Sequence, residues 1–246
     1  MNKPSCINKN DWDLLCKKYN EKKLKKIVRK VNKNYPVQYL IGNVNFYGYE
    51  IIVNKKVLIP RFETEELVEK TLGYLKKYDM TEISVLDIGT GSGCISIALK
   101  KEMPSLSITA LDKSSSALSV ANLNFKKHKL NINTIHKNIL KYSPINKYNL
   151  IISNPPYIAH DEIIDPKTKY EPKLALYAKN NGLYYYEKIL KKSKSMLEEK
   201  NILAFEIGEK QGKSLKSLAK EYYPEAIITI EKDLSSRDRY LFIINV

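Results

Sequence analysis

A chain of 246 residues, 43% hydrophobic and 28% charged, has enough apolar surface for one sizeable α/β domain and a small appendage. It contains no apolar run near the roughly 20 residues of a membrane span and no apolar signal segment, so a cytoplasmic protein is expected. Cys6, Cys16 and Cys94 have neither metal-ligand spacing nor the even count of a disulfide framework, so no metal is expected. The net charge of +15 has two readings. It suits a nucleic-acid or ribosomal partner. It also suits compositional drift over solvated faces, because the excess is nearly all lysine beside abundant Asn, Ile and Tyr.

In chain order, residues 1–34 are rich in lysine and read as a short helical segment. Asp11 is placed to cap a helix carrying Trp12, Leu14, Leu15 and Tyr19, and a second helix carries Leu24, Ile27, Val28 and Val31. The basic cluster from Lys22 to Lys33 is a solvated face or a docking surface. Residues 35–80 read as a β-hairpin and a connecting helix. Tyr35-Pro36 ends the preceding helix, and Phe46-Tyr47-Gly48-Tyr49 with Glu50 to Val53 forms the hairpin. Leu58-Ile59-Pro60-Arg61-Phe62-Glu63 then leads to a helix over 65–77 with Thr64 at its cap. Arg61 and the acids beside it are helix-start chemistry or a loop that faces a ligand.

Residues 81–246 alternate strands with helices. Strands are expected at 84–88, 107–111, 133–136, 148–153, 202–207, 227–231 and 240–244, and helices at about 92–101, 115–128, 183–198 and 211–222. Strands joined through helices give a parallel, doubly wound sheet. The last two strands are linked only by 232–239 and read as an antiparallel hairpin. The fold class is therefore α/β, a seven-stranded Rossmann-like class I methyltransferase sheet with five parallel strands and a C-terminal hairpin.

Two stretches carry chemistry. The first is Leu86-Asp87-Ile88-Gly89-Thr90-Gly91-Ser92-Gly93, a buried strand entering a glycine turn and then a helix. Its third glycine comes one residue early for a dinucleotide fingerprint, and the lysine of a phosphate loop is missing, so the turn suits a cofactor without a pyrophosphate. Asp112 ends the next strand, where an acid accepts both ribose hydroxyls. Lys137-Asn138-Ile139 follows the third strand, beside the expected adenine pocket.

The second stretch is Leu150-Ile151-Ile152-Ser153-Asn154-Pro155-Pro156-Tyr157. Two prolines hold the chain extended and remove two donors. The Asn154 oxygen and the Pro155 carbonyl then face whatever lies beyond the strand, with Tyr157 as a flat wall. Such a site suits a ligand with a planar amino group. Glycine turn, acid and Asn-Pro-Pro-Tyr all fall at carboxyl ends of strands, on the crevice where open α/β sheets bind ligands. Together they point to S-adenosylmethionine.

Tyr35-Pro-Val-Gln-Tyr-Leu-Ile-Gly42, Phe46-Tyr-Gly48, Leu58-Ile-Pro-Arg-Phe-Glu-Thr-Glu65, the glycine turn and Ser153-Asn-Pro-Pro-Tyr157 resemble the HemK/PrmC family of peptide chain release factor glutamine methyltransferases. The resemblance continues through Tyr170-Glu-Pro172, Glu206-Ile-Gly208, Gln211-Gly212 and Asp233-Leu to Arg237-Asp-Arg239, covering about residues 35–246. It implies methyl transfer from S-adenosylmethionine to the side-chain amide nitrogen of the glutamine in the Gly-Gly-Gln motif of release factors. Carried over by position, Gly89, Thr90, Gly91, Ser92 and Gly93 hold the cofactor, Asp112 its ribose and Ile139 its adenine. Asn154, Pro155, Pro156 and Tyr157 hold the glutamine, with Asn154 also touching the cofactor and Asn154, Pro155 and Tyr157 serving the reaction. Phe62 stands where the family has a second proline, Asn138 where an acid is common, and the helical N-terminal segment is shorter than the family's.

The partner implied is a release factor, with nucleic acid not required, no membrane and a monomeric enzyme. Two related readings remain at this point: a ribosomal-protein glutamine methyltransferase, and a methyltransferase for the exocyclic amino group of adenine in nucleic acid. A catalytically idle cofactor-binding protein docking on the translation apparatus is the reading from another class.

Overall fold

The computed structural model describes residues 3–142, 144–162 and 164–246. Three short helices come first, α1 (Lys9–Lys18), α2 (Glu21–Val31) and α3 (Val37–Ile41). Asn8, not Asp11, caps α1: its side-chain oxygen accepts from the Asp11 amide at 2.8 Å, which puts Asp11 in the first turn. Asn20 caps α2 in the same way through Lys23 N. The extended backbone at each asparagine frees its carbonyl-side oxygen to reach an otherwise unpaired helix donor. The inward faces of these helices, Trp12, Leu15, Leu24, Ile27 and Val31, close with Ile7 and Ile41 on an apolar cluster of their own.

A two-stranded hairpin follows, β1 (Asn43–Phe46) against β2 (Tyr49–Ile52). Its turn residues Tyr47 and Gly48 have φ of 53° and 82°, the left-handed pair a tight hairpin needs. Helix α4 (Phe62–Lys77) starts three residues earlier than the sequence suggests, with Arg61 at the N-cap position and no side-chain cap. Thr64 is therefore not the cap. It lies in the first turn, and its hydroxyl reaches the far end of a core strand instead.

The main sheet has seven strands: β3 (Ser84–Ile88), β4 (Ser107–Asp112), β5 (Asn133–His136), β6 (Tyr148–Ser153), β7 (Leu197–Glu206), β8 (Ile227–Lys232) and β9 (Asp238–Asn245). Their order is β5-β4-β3-β6-β7-β9-β8, with β9 antiparallel to both its neighbours. The C-terminal hairpin expected from the short connection is present, and β9 inserts between β7 and β8. Composition explains the placement. Tyr240 to Ile244 are all 0–1% exposed, while β8 keeps a half-exposed Ile227 and the polar Thr229, Glu231 and Lys232 for the edge.

Helices α5 (Cys94–Glu102), α6 (Ser115–Lys127), α7 (Tyr184–Ser193) and α8 (Gly212–Tyr222) cover the two faces. Alternate strand residues feed two cores. Val85, Leu150, Ile152, Ala204 and Phe242 pack with α4 and α5, and Leu86, Ile151, Leu203, Phe205 and Leu241 pack with α7 and α8. Helix α7 ends at Ser193 rather than at 198, because the Ser193 hydroxyl turns back to Leu190 O and the chain then re-enters the sheet, with Leu197 opposite Tyr148.

The hairpin is fastened to this domain by the buried Phe46 and Ile51 and by one buried polar side chain. Asn124 of α6 accepts from Ile52 N at 2.7 Å and donates to Ile52 O at 3.0 Å and Ser92 O at 2.9 Å. Residues 43–52 are thereby held against the glycine turn. No helix among the described residues is long and apolar enough to cross a membrane.

Candidate active site

The carboxyl ends of β3, β4 and β6 meet at one cleft, lined by Gly89 to Ser92, Asp112, Lys113, Asn138, Ile139 and Asn154 to Pro156. Gly89, Gly91 and Gly93 have φ of 74°, 57° and 82°, a region L-side chains rarely adopt. A Cβ added at Gly89 would meet nothing within 4 Å, and one at Gly91 only Gly89 O at 3.8 Å. Those two glycines open onto the cleft. A Cβ at Gly93 would lie 2.6 Å from the Phe125 ring, so there the need is for close packing of α5 on α6.

Asp87 stands behind the turn, fully buried. Its Oδ2 accepts from Thr90 Oγ1 at 2.7 Å and Ser96 Oγ at 2.6 Å, and its Oδ1 has no partner among the described residues. Burial pushes its carboxyl up to about 6, opposed by the two hydroxyl donors. Asp112 is also buried, and desolvation raises its pKa, opposed by backbone donors. Its two oxygens are each fixed by an amide, Oδ2 by Gly91 N at 3.0 Å and Oδ1 by Ser114 N at 2.8 Å, so the carboxylate faces the cleft in one orientation. Ile139 is buried among the lining residues, and Lys113 bridges to the Tyr185 hydroxyl at 2.8 Å.

A cradle open at two Cβ positions, an oriented acid and an apolar wall fit an uncharged nucleoside with a short cationic tail. Asp87 adds negative charge behind the turn. The residues present therefore fit S-adenosylmethionine.

Across the cleft, Asn154 follows β6 directly. Its Nδ2 donates to Glu206 Oε2 at 2.8 Å and to Thr64 Oγ1 at 3.0 Å. Thr64 Oγ1 in turn donates to the same Glu206 oxygen at 2.6 Å, and Tyr157 OH donates to Glu206 Oε1 at 3.2 Å. Glu206, the last residue of β7, is 2% exposed. Burial raises its carboxyl to about 6, against the Thr64 hydrogen bond, the Arg239 charge and the Tyr157 donor. The backbone at this point is held too, since Tyr186 OH donates to Glu206 O at 2.7 Å.

The loop carrying the two prolines is clasped from behind. Gln211 Nε2 donates to Tyr157 O at 3.0 Å and Asn181 O at 3.2 Å, while Gly208 N donates to Gln211 Oε1 at 2.9 Å. Gly182, at φ 83°, packs so closely that an added Cβ would sit 2.0 Å from Tyr157 O. The stretch at 170–172 is similarly anchored. Glu171 accepts from Ile59 N at 3.0 Å and pairs with Arg61 Nη2 at 2.5 Å, so Pro172, Leu174 and Ala175 border the cleft beside Pro60.

Every sequence-predicted site residue from Gly89 to Ser92, with Asp112, Ile139 and Asn154 to Pro156, thus faces one cavity. Gly93 supports the turn from outside, and Tyr157 directs its hydroxyl to Glu206. Three further candidates emerge here: Thr64, read from sequence as a helix cap, and Glu206 and Gln211, which lie in family blocks without an assigned role. The sequence signals for Glu206 are its place in the family block Glu206-Ile-Gly208 and an acid near the end of an otherwise apolar strand, in Ala204-Phe205-Glu206-Ile207-Gly208.

Comparison with known proteins gives the lineage. A family model described as Methyltransferase small domain matches residues 65–169. A protein of Enterococcus faecalis named release factor glutamine methyltransferase is 43% identical over 222 residues, 89% of this chain and 79% of that one. The chain belongs to the release factor glutamine methyltransferase family. A second member, from Lactococcus lactis, is 35% identical over 244 residues, 96% of this chain and 89% of its own. The crystal structure of a methyltransferase from Pyrococcus furiosus shares the fold at 15% identity, with a TM-score of 0.60 over 92% of this chain and 99% of that one. Family blocks far apart in the sequence meet at the site: Arg61 pairs with Glu171, and Thr64, Asn154 and Glu206 share one hydrogen-bonded group.

Proposed function

We propose that the chain transfers a methyl group from S-adenosylmethionine to the side-chain amide nitrogen of the glutamine in the Gly-Gly-Gln motif of peptide chain release factors. The observation that carries this reading is one cleft lined on one side by the glycine turn, Asp112 and Ile139 and on the other by Asn154, Pro155 and Pro156. The names of the relatives support the choice of substrate.

In this reading Gly89, Thr90, Gly91 and Ser92 form the cofactor cradle, Gly93 supports it from outside, and Asp112 takes the ribose hydroxyls on the lone pairs its two amide donors leave free. Ile139 gives adenine an apolar wall. Bound there, S-adenosylmethionine supplies an activated methyl group on a sulfonium. The chain's own task is the amide. An amide nitrogen is a weak nucleophile because its lone pair is delocalised into the carbonyl. Asn154 Oδ1 and the Pro155 carbonyl accept its two N–H groups, Pro156 packs on its plane, Tyr157 holds Glu206 from behind, and the nitrogen is held toward the glycine-turn side. Positioning of this kind supplies about 7–11 kcal/mol in favourable systems. Glu206 is already bonded to Asn154, Thr64 and Tyr157, so the amide proton leaves to water. The same reading takes the chain to act as a monomer without nucleic acid, because one chain supplies both sides of the cleft.

The test is methyl incorporation from labelled cofactor into a purified release factor, beside its Gly-Gly-Ala variant and a mixed nucleic-acid pool. Label on the Gly-Gly-Gln protein alone is the expected result. Label on nucleic acid, or equal label on the Gly-Gly-Ala variant, overturns the reading.

A further inference from the structure

A carboxamide has two faces, an oxygen that accepts and an NH2 that donates, and a half-turn of the side chain exchanges them. An asparagine free to turn at a cleft accepts a partner amide in one orientation and a partner carboxylate in the other. Asn154 is not free. Its Nδ2 is turned to Glu206 Oε2 at 2.8 Å and Thr64 Oγ1 at 3.0 Å, two acceptors 2.6 Å apart on the same side of the nitrogen. Thr64 cannot reverse its role, since its own proton goes to Glu206 at 2.6 Å. A turned Asn154 would place Oδ1 against a buried carboxylate oxygen, two acceptors at hydrogen-bond distance with no proton between them.

We propose that Glu206 is a positioning residue that locks the polarity of Asn154, so that the cleft reads a carboxamide and rejects a carboxylate. The inference rests on the glutamine substrate of the preceding subsection and adds the device that tells glutamine from glutamate. With Nδ2 turned inward, the cleft offers Asn154 Oδ1 and the Pro155 carbonyl, two acceptors together. A ligand group must bring two donors on one atom, as an amide NH2 does. A carboxylate brings none and is repelled by both.

The lock belongs to one side chain held on every side. Tyr157 OH donates to its other oxygen, Tyr186 OH to its main-chain carbonyl, and Thr64 comes from the first turn of α4. The charged groups that face it are Arg239 from β9 and Glu63 from α4; the titratable hydroxyls are Tyr157, Tyr186 and Tyr240. Protonation of Glu206 turns one of its acceptors into a donor and releases Asn154, so the lock is closed at neutral pH and opens in acid.

The experiment compares wild type, Glu206→Gln and Thr64→Val on a release factor with its Gly-Gly-Gln motif intact, using the Gly-Gly-Glu form as competitor. Readouts are kcat, KM, cofactor dissociation constant and inhibition constant, from pH 5 to 8. Wild type is expected to bind the Gly-Gly-Glu competitor at least ~10-fold more weakly than the substrate, the cost of facing unpaired acceptors. Glu206→Gln replaces an acceptor-only group with a carboxamide that can present either face to Asn154, so the polarity is no longer fixed. It is expected to lose about 100-fold in kcat, to bind both forms alike, to lose the fall in kcat below about pH 6, and to keep its cofactor affinity within about twofold. Thr64→Val, with a near-isosteric side chain and Glu206 intact, is expected to lose part of the discrimination and serves if Glu206→Gln does not fold. Unchanged discrimination and rate in a folded Glu206→Gln, or in Thr64→Val if that is the folded variant, overturns the lock. A wild type that leaves the release factor unmethylated overturns the substrate reading instead, a distinguishable failure.

Discussion

Asn154 and its cofactor-side counterparts sit on opposite walls of the cleft, so their losses separate. Asn154→Ala removes the acceptor without touching Gly89 to Gly93 or Asp112. Turnover is expected to fall at least ~100-fold, with cofactor affinity in calorimetry changed less than about twofold. Glu206 adds a prediction on stability. Its ordinary value of 4.5 rises to about 6 in the fold, so the native state holds its proton more tightly than the unfolded chain does. That contribution is fully present below about pH 4.5 and is lost as pH rises through 6, a loss of roughly 2 kcal/mol. Unfolding free energies of wild type minus Glu206→Gln are expected to fall by about that amount from pH 4.5 to 7. A flat difference would mean the carboxylate is not desolvated as drawn. Activity and this part of stability therefore run in opposite directions with pH. Asn154 was legible in the sequence because its chemistry lies in four consecutive residues. Glu206 stands in a family block but its role was not legible, because that role depends on partners 52 residues away at Asn154 and 142 away at Thr64, and nothing local marks such a pairing.

At the scale of elements, the glycine turn divides into two functions that a sequence reading treats as one. Gly89→Ala puts a methyl group into open cleft, whereas Gly93→Ala drives one into Phe125 at 2.6 Å. Both carry the backbone cost of a left-handed residue, of order 1 kcal/mol. Gly89→Ala is expected to weaken cofactor binding far more than it lowers the melting temperature. Gly93→Ala is expected to do the reverse, and thermal melts beside cofactor titrations decide it. Strand positions are legible apart from the start of β7, which lies at Leu197 and not 202, since short aliphatic runs bounded by breakers leave little choice. Errors fell where a polar side chain serves a distant element: Thr64 looked like a cap and reaches Glu206, and Asp11 looked like a cap beside the asparagine that does the work. The end of α7 was missed because Ser193 and the start of β7 cut short a pattern that is helical by periodicity alone.

At the scale of the whole molecule, the described residues form three separate apolar clusters, and the smallest lies between α1, α2 and α3. The chain's single tryptophan, Trp12, is buried in it. A cluster of seven buried residues has far less to lose than the two cores flanking the sheet. Tryptophan fluorescence is therefore expected to report unfolding at a lower denaturant concentration than far-ultraviolet circular dichroism, and coincident transitions would show instead that the two parts unfold together. The parallel sheet and its closing hairpin were legible from connection lengths, but the place of β9 was not, because only its burial relative to β8 decides which strand goes inside. That placement has a consequence for biosynthesis. The strand that seals β7 is made after α8 and β8, and β8 pairs with β9, so until β9 joins the sheet the edge beside Leu203 and Phe205 stays open and β8 has no place in the sheet. An edge of that kind is a template for pairing with another chain. Slowing translation just before residue 238 should thus favour aggregates, and supplying the 238–245 strand early, by circular permutation, should suppress them.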